Sequence, residues 1–420
     1  MTILLKNALI IAAHSQHHNT RRDILIQNGK ITKIASRIPA DNAKVISSDD
    51  LHVSIGWMDV GTVGGEPGYE HRETLTTLTA AATSGGYTAI ALFPNTLPVV
   101  DNKSSVQYII NSTKDHLVDY HPIGAISKDV AGEEITEMID MKKAGAVAFS
   151  DGQRPVSKSG LMLMALQYAK TTDALIIHTP QDNSLSNGNT IHEGEVSTSL
   201  GLKGSPVLSE VLTLDRDLQL LQYADSKLLL HNLSSKSSVE RVTENKDKKL
   251  SSSVSYLNLC LTEDAISNFD SNAKVNPPLR SEDDRQALIK AISGGKIEII
   301  TSNHTPVESD LKKMEFTYAT PGAIGLQTCF SGIMTHATKI SILKIVQCLS
   351  TNPRKILDIE LPNIEVDEVA DLCIFDPSIS WTFDDSTNRS KSKNCPFWNQ
   401  KLKGKVIGVI KSKSSHFNNY

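Results

Sequence analysis

Short apolar segments recur along this chain, and their period changes between its ends and its middle. Near the N-terminus, ILLKNALII and RDILIQNGKITKIAS alternate apolar and polar residues, as half-buried β-strands do. Asn28-Gly29 interrupts the second segment, and this dipeptide favours a two-residue hairpin turn. ADLCIFDPSISWTF and KLKGKVIGVIKSK repeat the strand-like character near the C-terminus. The pattern predicts one small β domain assembled from both ends of the chain.

The middle of the chain alternates amphipathic segments with continuous apolar ones. ETLTTLTAAATSGG predicts a helix that ends at glycine, and YTAIALFPNT predicts the strand after it. The same pairing recurs in ITEMIDMKKAG with AVAFSDG, GLMLMALQYAKTTD with ALIIHTP, LTLDRDLQLLQYAD with SKLLLHNLS, and SEDDRQALIKAISGG with KIEIITSNHTP. Such units indicate a parallel sheet covered on both faces. Their number, and the lack of a glycine-rich phosphate loop after the first strand, favour an α/β fold of the (β/α)8 TIM type over an open doubly wound sheet.

Composition limits the partners of such a fold. The chain has 420 residues and a formal net charge of -4, with charges of both signs mixed along it. This distribution offers no basic surface for nucleic acid or for an anionic membrane. The N-terminal segment MTILLKNALIIAAHSQHH has a short apolar core but no cleavage site, so we expect neither an export signal nor a membrane span. Five scattered cysteines without a CxxC spacing are expected to be reduced, as in a cytoplasmic protein.

Polar residues directly follow the apolar strands at several places. In a (β/α)8 barrel the active site lies at the carboxyl ends of the strands, so these residues are candidates for one site. They are Asp59, Asn95, Asp151, His178, His231, Asn303 and His304. Taken alone, such a histidine is more often structural than a ligand, and such an aspartate is often a helix N-cap. Several of them at one barrel mouth favour a functional site, and imidazole with carboxylate suits zinc.

Six motif-like segments follow one another along the chain: EPGYEHRETLTTLTAAATSGGYTAIALFPNTLPVVDN, GAVAFSDG, HEGEVSTSLGLKGSPVLSE, NAKVNPPLRSEDDRQALI, SNHTPV and SKNCPFWNQKLKGKV. They resemble successive motifs of the larger, bacterial-type dihydroorotases of the amidohydrolase superfamily. Their order and spacing hold over nearly the whole chain. The resemblance implies an amidohydrolase barrel with a composite β domain, one or two zinc ions in the barrel mouth, and reversible ring closure of carbamoyl aspartate to dihydroorotate.

These observations together predict the domain organisation. Residues 1–54 form the N-terminal part of a small β-sandwich domain, residues 55–362 form the (β/α)8 amidohydrolase barrel, and residues 363–420 form the C-terminal part of the β domain. The polar C-terminal stretch SKSSHFNNY is expected to fray.

The resemblance also identifies groups that this chain lacks. The family's first-strand His-x-His metal ligands fall on Gly61 and Val63. The arginine that holds the substrate carboxylate in the family falls on Gly65. The strand-8 aspartate, a metal ligand and proton shuttle, falls on Asn303, and the second histidine of the Asp-His-Ala-Pro-His segment falls on Val307. Strand alternation places Asp59, Gly61 and Val63 on one face, so the missing groups would have pointed into the barrel mouth.

Other family positions are retained. Asp151 occupies the metal-bridging position, and His178 and His231 occupy the two later histidine positions. The substrate-contact positions are Asn95, Asn276 and His304. Three protein ligands and a water are enough for one zinc ion, which is the cofactor that this residual set would hold.

Three functions are compatible with this mixture of lost and retained groups. The first is a noncatalytic dihydroorotase-like scaffold or regulatory protein. Some dihydroorotase-like chains are noncatalytic partners of aspartate transcarbamoylase, so the resemblance implies that partner, and we also expect a homodimer. The second is an active zinc-dependent dihydroorotase with a reduced mononuclear site. The third is a binding protein for dihydroorotate or carbamoyl aspartate that uses Asn95 and Asn276 without the lost arginine.

Overall fold

The computed structural model describes residues 2–186, 191–245 and 247–418. These residues form sixteen β-strands: β1 (Thr2–Ile11), β2 (Arg21–Gln27), β3 (Lys30–Ala35), β4 (Lys44–Ile46), β5 (His52–Ile55), β6 (Trp57–Thr62), β7 (Tyr87–Leu92), β8 (Asp119–Gly124), β9 (Ala148–Phe149), β10 (Leu175–His178), β11 (Lys227–Leu230), β12 (Leu250–Ser255), β13 (Ile299–Thr301), β14 (Asp371–Thr382), β15 (Lys401–Lys411) and β16 (Ser414–Phe417).

Strands from both ends of the chain form the small β domain. Their order in the sheet is β16-β15-β14-β5-β1-β2-β3, with β4 beside β1. The two ends meet at the centre, where β5 lies antiparallel to β14. Asn28 and Gly29 have positive φ angles of 51° and 83°, as a type I′ hairpin between β2 and β3 requires. The predicted two-ended β domain is confirmed, and it is a single curled sheet with its own apolar core.

Strands β6 to β13 pair in chain order and form the parallel barrel. A 2.9 Å hydrogen bond from the Val63 amide to the His304 carbonyl brings the end of β6 beside the end of β13. Apolar side chains including Met58, Ile177 and Leu229 fill the barrel interior, and the opposite faces of the strands pack beneath the helices. The predicted (β/α)8 fold is confirmed. The boundaries at residues 54 and 362 stay predictions.

Helices cover the barrel between its strands. The α-helices are α1 (Leu75–Ser84), α2 (Lys103–Thr113), α3 (Met138–Ala144), α4 (Ser159–Thr171), α5 (Asn183–Ser186), α6 (Glu195–Ser199), α7 (Val207–Ala224), α8 (Lys236–Glu244), α9 (Tyr256–Cys260), α10 (Glu282–Ser293), α11 (Ser309–Lys312), α12 (Cys329–His336), α13 (Ile342–Val346) and α14 (Asn352–Ile356). Short 3-10 helices occupy Lys128–Val130, Glu263–Ile266 and Ser271–Ala273, and a π-helix occupies Gln347–Thr351.

Two sequence expectations are wrong. Ser414–Phe417 pairs with β15, so the C-terminal stretch does not fray there. Strict alternation also fails in β6, where the register shifts between Val60 and Thr62 because Gly61 adopts a φ of 81°. As a result, the Thr62 hydroxyl donates a 2.5 Å hydrogen bond to Asp59, three residues earlier, which a regular strand would place on the opposite face.

The five cysteines are all free thiols, and all of them are buried. Within residues 2–186, 191–245 and 247–418, no helix combines the length and the apolar character needed to cross a bilayer.

Candidate functional site

Gly61 lies near the carboxyl end of β6, at the first position of the lost histidine pair. Its φ of 81° lies in the left-handed region, which residues with a Cβ rarely adopt. A Cβ on Gly61 would lie 2.6 Å from His231 Cε1 and 2.8 Å from Phe93 Cε2. The His231 and Phe93 rings contact each other edge to face, with centroids 5.1 Å apart. The space that a first-strand ligand would enter is therefore filled by these two rings.

The position of the substrate arginine is closed as well. A Cβ on Gly65 would lie 2.1 Å from the Glu73 carbonyl oxygen and 2.5 Å from the Tyr69 carbonyl oxygen. The following loop thus packs directly on Gly65, and a larger side chain fits only if this loop moves. Val63, at the second histidine position, is half-buried, and its amide makes one of the hydrogen bonds that join β6 and its end to the strand-8 segment.

Asp151 follows β9 and is buried. Its Oδ1 accepts 2.9 Å hydrogen bonds from the Ile126 and Ser127 amides, and its Oδ2 accepts one from the Ser127 hydroxyl. Burial raises the pKa of this carboxyl group, and the hydrogen bonds oppose that rise. Both carboxylate oxygens therefore hold the loop after β8.

His178 ends β10, and both of its ring nitrogens are engaged. The Nε2 atom accepts a 2.9 Å hydrogen bond from the Val156 amide, and Nδ1 lies 2.6 Å from Asp217 Oδ2. Because an amide N–H can only donate, the ring proton lies on Nδ1 and is donated to Asp217. The other Asp217 oxygen accepts hydrogen bonds of 2.7 and 2.9 Å from Arg216. His178 thus joins β10 to α7 through a buried charged network.

His231 follows β11 and is buried against Phe93. Its Nδ1 lies 3.3 Å from the Ser253 hydroxyl, and its buried Nε2 has no hydrogen-bond partner among the described residues. Burial lowers the pKa of His231 to about 3, so the ring is neutral at neutral pH.

Two of the three asparagine side chains at these positions, Asn95 and Asn303, bind backbone groups. The Asn303 side-chain amide donates to the Asn276 carbonyl at 3.0 Å. The Asn95 side chain donates to the Asp151 carbonyl at 3.1 Å and accepts from the Gln153 amide at 3.2 Å. The Asn276 Oδ1 atom is buried, and no described residue donates to it. Two of the three amides are therefore engaged in holding loops.

His304 lies beside a buried carboxylate that the sequence did not reveal. Its Nε2 is 3.4 Å from Glu73 Oε2, although the two atoms lack hydrogen-bond alignment. The Glu73 carboxylate accepts hydrogen bonds from the Ser390 hydroxyl and, at 3.0 Å, from the Lys391 amide. Glu73 thus connects the strand-8 segment with the chain that leads into β15.

These side chains do not fit a zinc ion. A three-ligand site requires Asp151, His178 and His231 to direct free donor atoms at one point. Asp151 and His178 use their atoms in internal hydrogen bonds, and only His231 retains a free nitrogen. Across the described ranges, no group of three His, Cys, Asp or Glu side chains is arranged to hold a metal ion. The geometry therefore does not support the expected residual zinc site.

The sequence reasoning missed the partners of the retained residues. Asp217 carried a usable signal, since it lies on the apolar face of α7 between Leu214 and Leu221, where a carboxylate needs a buried partner. Phe93 carried none, because an aromatic residue at the end of an apolar strand is ordinary. Ser127 lies in a loop outside the recognised motifs, and Glu73 lies directly before the N-cap of α1, where its sequence gives no sign of the contact with His304.

Comparison with known proteins agrees with this architecture. Residues 53–238 match a family model described as Dihydro-orotase-like. The chain is 39% identical over 416 residues to the dihydroorotase of Thermoanaerobacter sp. (strain X514), covering 98% of this chain and 96% of that relative. It is 36% identical over 417 residues to the dihydroorotase of Syntrophus aciditrophicus (strain SB), covering 98% of each chain.

Solved structures show the same fold at lower identity. The L-hydantoinase of Arthrobacter aurescens superposes with a TM-score of 0.85 at 21% identity, covering 98% of this chain and 95% of that one. The dihydropyrimidinase of Brevibacillus agri NCHU1002 gives a TM-score of 0.82 at 21% identity, covering 100% of this chain and 95% of that one. With the nearly full-length relatives above 30% identity, these findings establish that the chain belongs to the dihydroorotase family.

Proposed function

We propose that this chain is a cytoplasmic, noncatalytic dihydroorotase-family protein of pyrimidine biosynthesis that acts as a scaffold or regulatory partner of aspartate transcarbamoylase. The observation that carries the loss of catalysis is the filling of the Gly61 position by His231 and Phe93. Ring closure in this family relies on zinc ligands from the first strand and on a basic strand-8 carboxylate. This chain has neither, because Gly61 and Val63 offer no ligand atom and the amide of Asn303 is not a base at neutral pH.

The intact fold supports a role for the whole molecule. Buried residues that could have served as ligands now hold elements together, as Asp151 does for the loop after β8 and His178 does for α7. The identity of the partner rests on the family resemblance, which includes noncatalytic chains that assemble with aspartate transcarbamoylase.

A direct assay tests the loss of catalysis. The purified full chain is incubated with carbamoyl aspartate and, separately, with dihydroorotate, with and without added zinc. The dihydroorotase of Thermoanaerobacter sp. serves as the active control. We expect no interconversion by this chain and only trace zinc by elemental analysis. Turnover at the rate of the control, or one firmly bound zinc per chain, would favour the active mononuclear enzyme instead.

The partnership is tested with the aspartate transcarbamoylase of the same organism. The two purified proteins are mixed at micromolar concentration and separated by size-exclusion chromatography with light scattering. A shared peak heavier than either protein alone is expected. Separate elution of the two proteins would refute this partner, whatever the outcome of the activity assay.

A further inference from the structure

A cavity of about 570 Å³ lies beside the strand-8 loop, and Val307 of that loop is part of its lining. The rest of the lining comes from α11, from the chain that leads into β15, and from His71, Ser271 and Asn272. Four lysines line it: Lys312, Lys313, Lys391 and Lys393. Its volume is in the range of small-molecule sites. The cavity therefore lies between the barrel and the C-terminal part of the chain, and its lining contains more lysines than acidic residues.

Lys312 is the buried member of this set, with only 6% of its surface exposed. Its Nζ donates hydrogen bonds to the carbonyl oxygens of Thr320 at 3.0 Å and Gly322 at 3.1 Å. An ammonium has three donors, so these bonds leave one N–H for a ligand. Burial lowers the pKa of Lys312 to about 8, against the opposing effect of Asp270. The group is therefore mostly charged at neutral pH, and a bound anion would offset the cost of burying it.

The acidic residues of the lining are already paired. Glu308 Oε2 lies 2.6 Å from Arg72 Nε, and Asp385 pairs with Lys393. The exposed Lys313 and Lys391 add positive charge, and the Lys391 ammonium donates to a backbone carbonyl, that of Glu70, at 2.8 Å. The other three ammonium groups of the lining form no ion pair with a described carboxylate, although Asp270 and Glu70, outside the lining, interact electrostatically with Lys312 and Lys391.

We propose that this cavity binds a phosphate-bearing anion, with the phosphate held by Lys312, Lys313 and Lys391. A multiply charged phosphate matches several lysine donors better than a small carboxylate does, since it offers more charge and more acceptor oxygens. Lys312 belongs to α11 and Lys391 to the chain before β15, so the bound anion connects the barrel with the C-terminal segment. The lining contains none of the retained site residues, so this proposal does not depend on the proposed function. These residues are Asn95, Asp151, His178, His231, Asn276 and His304.

Calorimetric titration of the full chain with inorganic pyrophosphate tests this site. We expect saturable binding of pyrophosphate that weakens as salt is added. Malonate, the dicarboxylate control, is expected to bind with an affinity at least roughly tenfold lower. Lys313→Gln with Lys391→Gln is expected to weaken pyrophosphate binding by roughly tenfold or more, because it removes two charged donors. Lys33→Gln with Lys143→Gln removes the same charge from exposed lysines elsewhere and is expected to leave binding unchanged.

Lys312→Met tests the buried ammonium and is expected to abolish pyrophosphate binding while circular dichroism stays native. If this variant does not fold, the double variant Lys313→Gln with Lys391→Gln still tests the phosphate site. The proposal is overturned by the absence of binding at millimolar pyrophosphate, or by equal weakening in the cavity pair and in the control pair. Equal affinities for pyrophosphate and malonate would overturn the assignment to phosphate.

Discussion

Gly61 combines a left-handed backbone with a contact that leaves no room for a Cβ. The position of the missing ligand is therefore occupied, because β6 has a bulge there and the His231–Phe93 pair fills the adjacent space. Sequence alone identified the missing histidine but not this filling, which depends on the side chains that directly follow β7 and β11. Replacing the residue type would not by itself recreate a metal site.

Gly61→Ala is expected to lower the free energy of unfolding by roughly 2–4 kcal/mol, from left-handed strain and from overpacking against His231 and Phe93. Gly132→Ala is the matched control, because Gly132 also has a positive φ, of 71°, but its Cβ would meet no described atom within 4 Å. Its cost is expected to be about 1–2 kcal/mol. Urea unfolding followed by circular dichroism measures both, and equal losses would contradict a filled site.

The same reasoning applies to restoring the complete ligand set. The triple variant Gly61→His, Val63→His and Asn303→Asp is expected to gain neither stoichiometric zinc nor dihydroorotate turnover. The new histidine at 61 would collide with His231, and Asp151 would still be bound to the loop after β8. Elemental analysis and the activity assay measure the outcome. Recovery of both properties would show that the site reopens easily and that the filling is not what prevents catalysis.

At the scale of elements, local signals explain what the sequence could predict. Helices α1 and α10 begin at capping boxes of Thr74 and Ser281 and end at glycines, all of which are visible in the sequence. Strands β8 and β12 were not identified, because DYHPIG and LSSSVS lack an apolar run. The serines of β12 are stabilised by tertiary contacts, such as the 2.8 Å hydrogen bond from the Asn232 amide to Ser253.

The contact between His178 of β10 and Asp217 of α7 is expected to stabilise the fold. Asp217→Ala removes the acceptor of the His178 ring proton and leaves Arg216 without its buried partner, so we expect a loss of about 3 kcal/mol in the free energy of unfolding. If the His178–Asp217 pair is purely structural, the variant loses the same free energy of unfolding in the presence of EDTA and in the presence of zinc. Urea unfolding under both conditions provides the measurement.

Asp215→Ala serves as the control for this experiment, because Asp215 is partly exposed on the same helix α7 and pairs with Arg241 at 2.8 Å. Its effect is expected to be below about 1 kcal/mol. If zinc stabilises the parent protein but not the Asp217→Ala variant, His178 instead belongs to a metal site, and the structural interpretation is wrong.

At the scale of the whole molecule, the C-terminal part of the chain returns to the barrel before it completes the β domain. Asn394 donates to the Thr305 and Gly322 carbonyls at 2.9 and 3.0 Å, and Ser390 binds the buried Glu73. The sequence predicted that both ends share one domain. It did not predict this crossing, because a polar segment such as SKSKNC has no period that reveals what it contacts.

His121 lies on β8 near this junction, close to charged groups of both parts of the molecule. Burial is the largest cause that lowers its pKa to about 4, and Lys411 of β15 and Arg354 of α14 lower it further, whereas Asp119 opposes the shift. An unfolded histidine titrates near 6.5. On acidification the unfolded chain therefore takes up this proton first, so the contribution of His121 to stability is constant above about pH 6.5 and is lost towards pH 4.

His121→Gln removes this proton uptake. The free energy of unfolding of the parent protein minus that of the variant is therefore expected to fall by about 1–2 kcal/mol between pH 7 and pH 5. Urea unfolding at the two pH values measures this difference. His14→Gln replaces an exposed histidine, so its difference from the parent should be nearly independent of pH. A pH-independent difference for His121→Gln as well would mean that His121 is not held in its neutral form at the junction of the two domains.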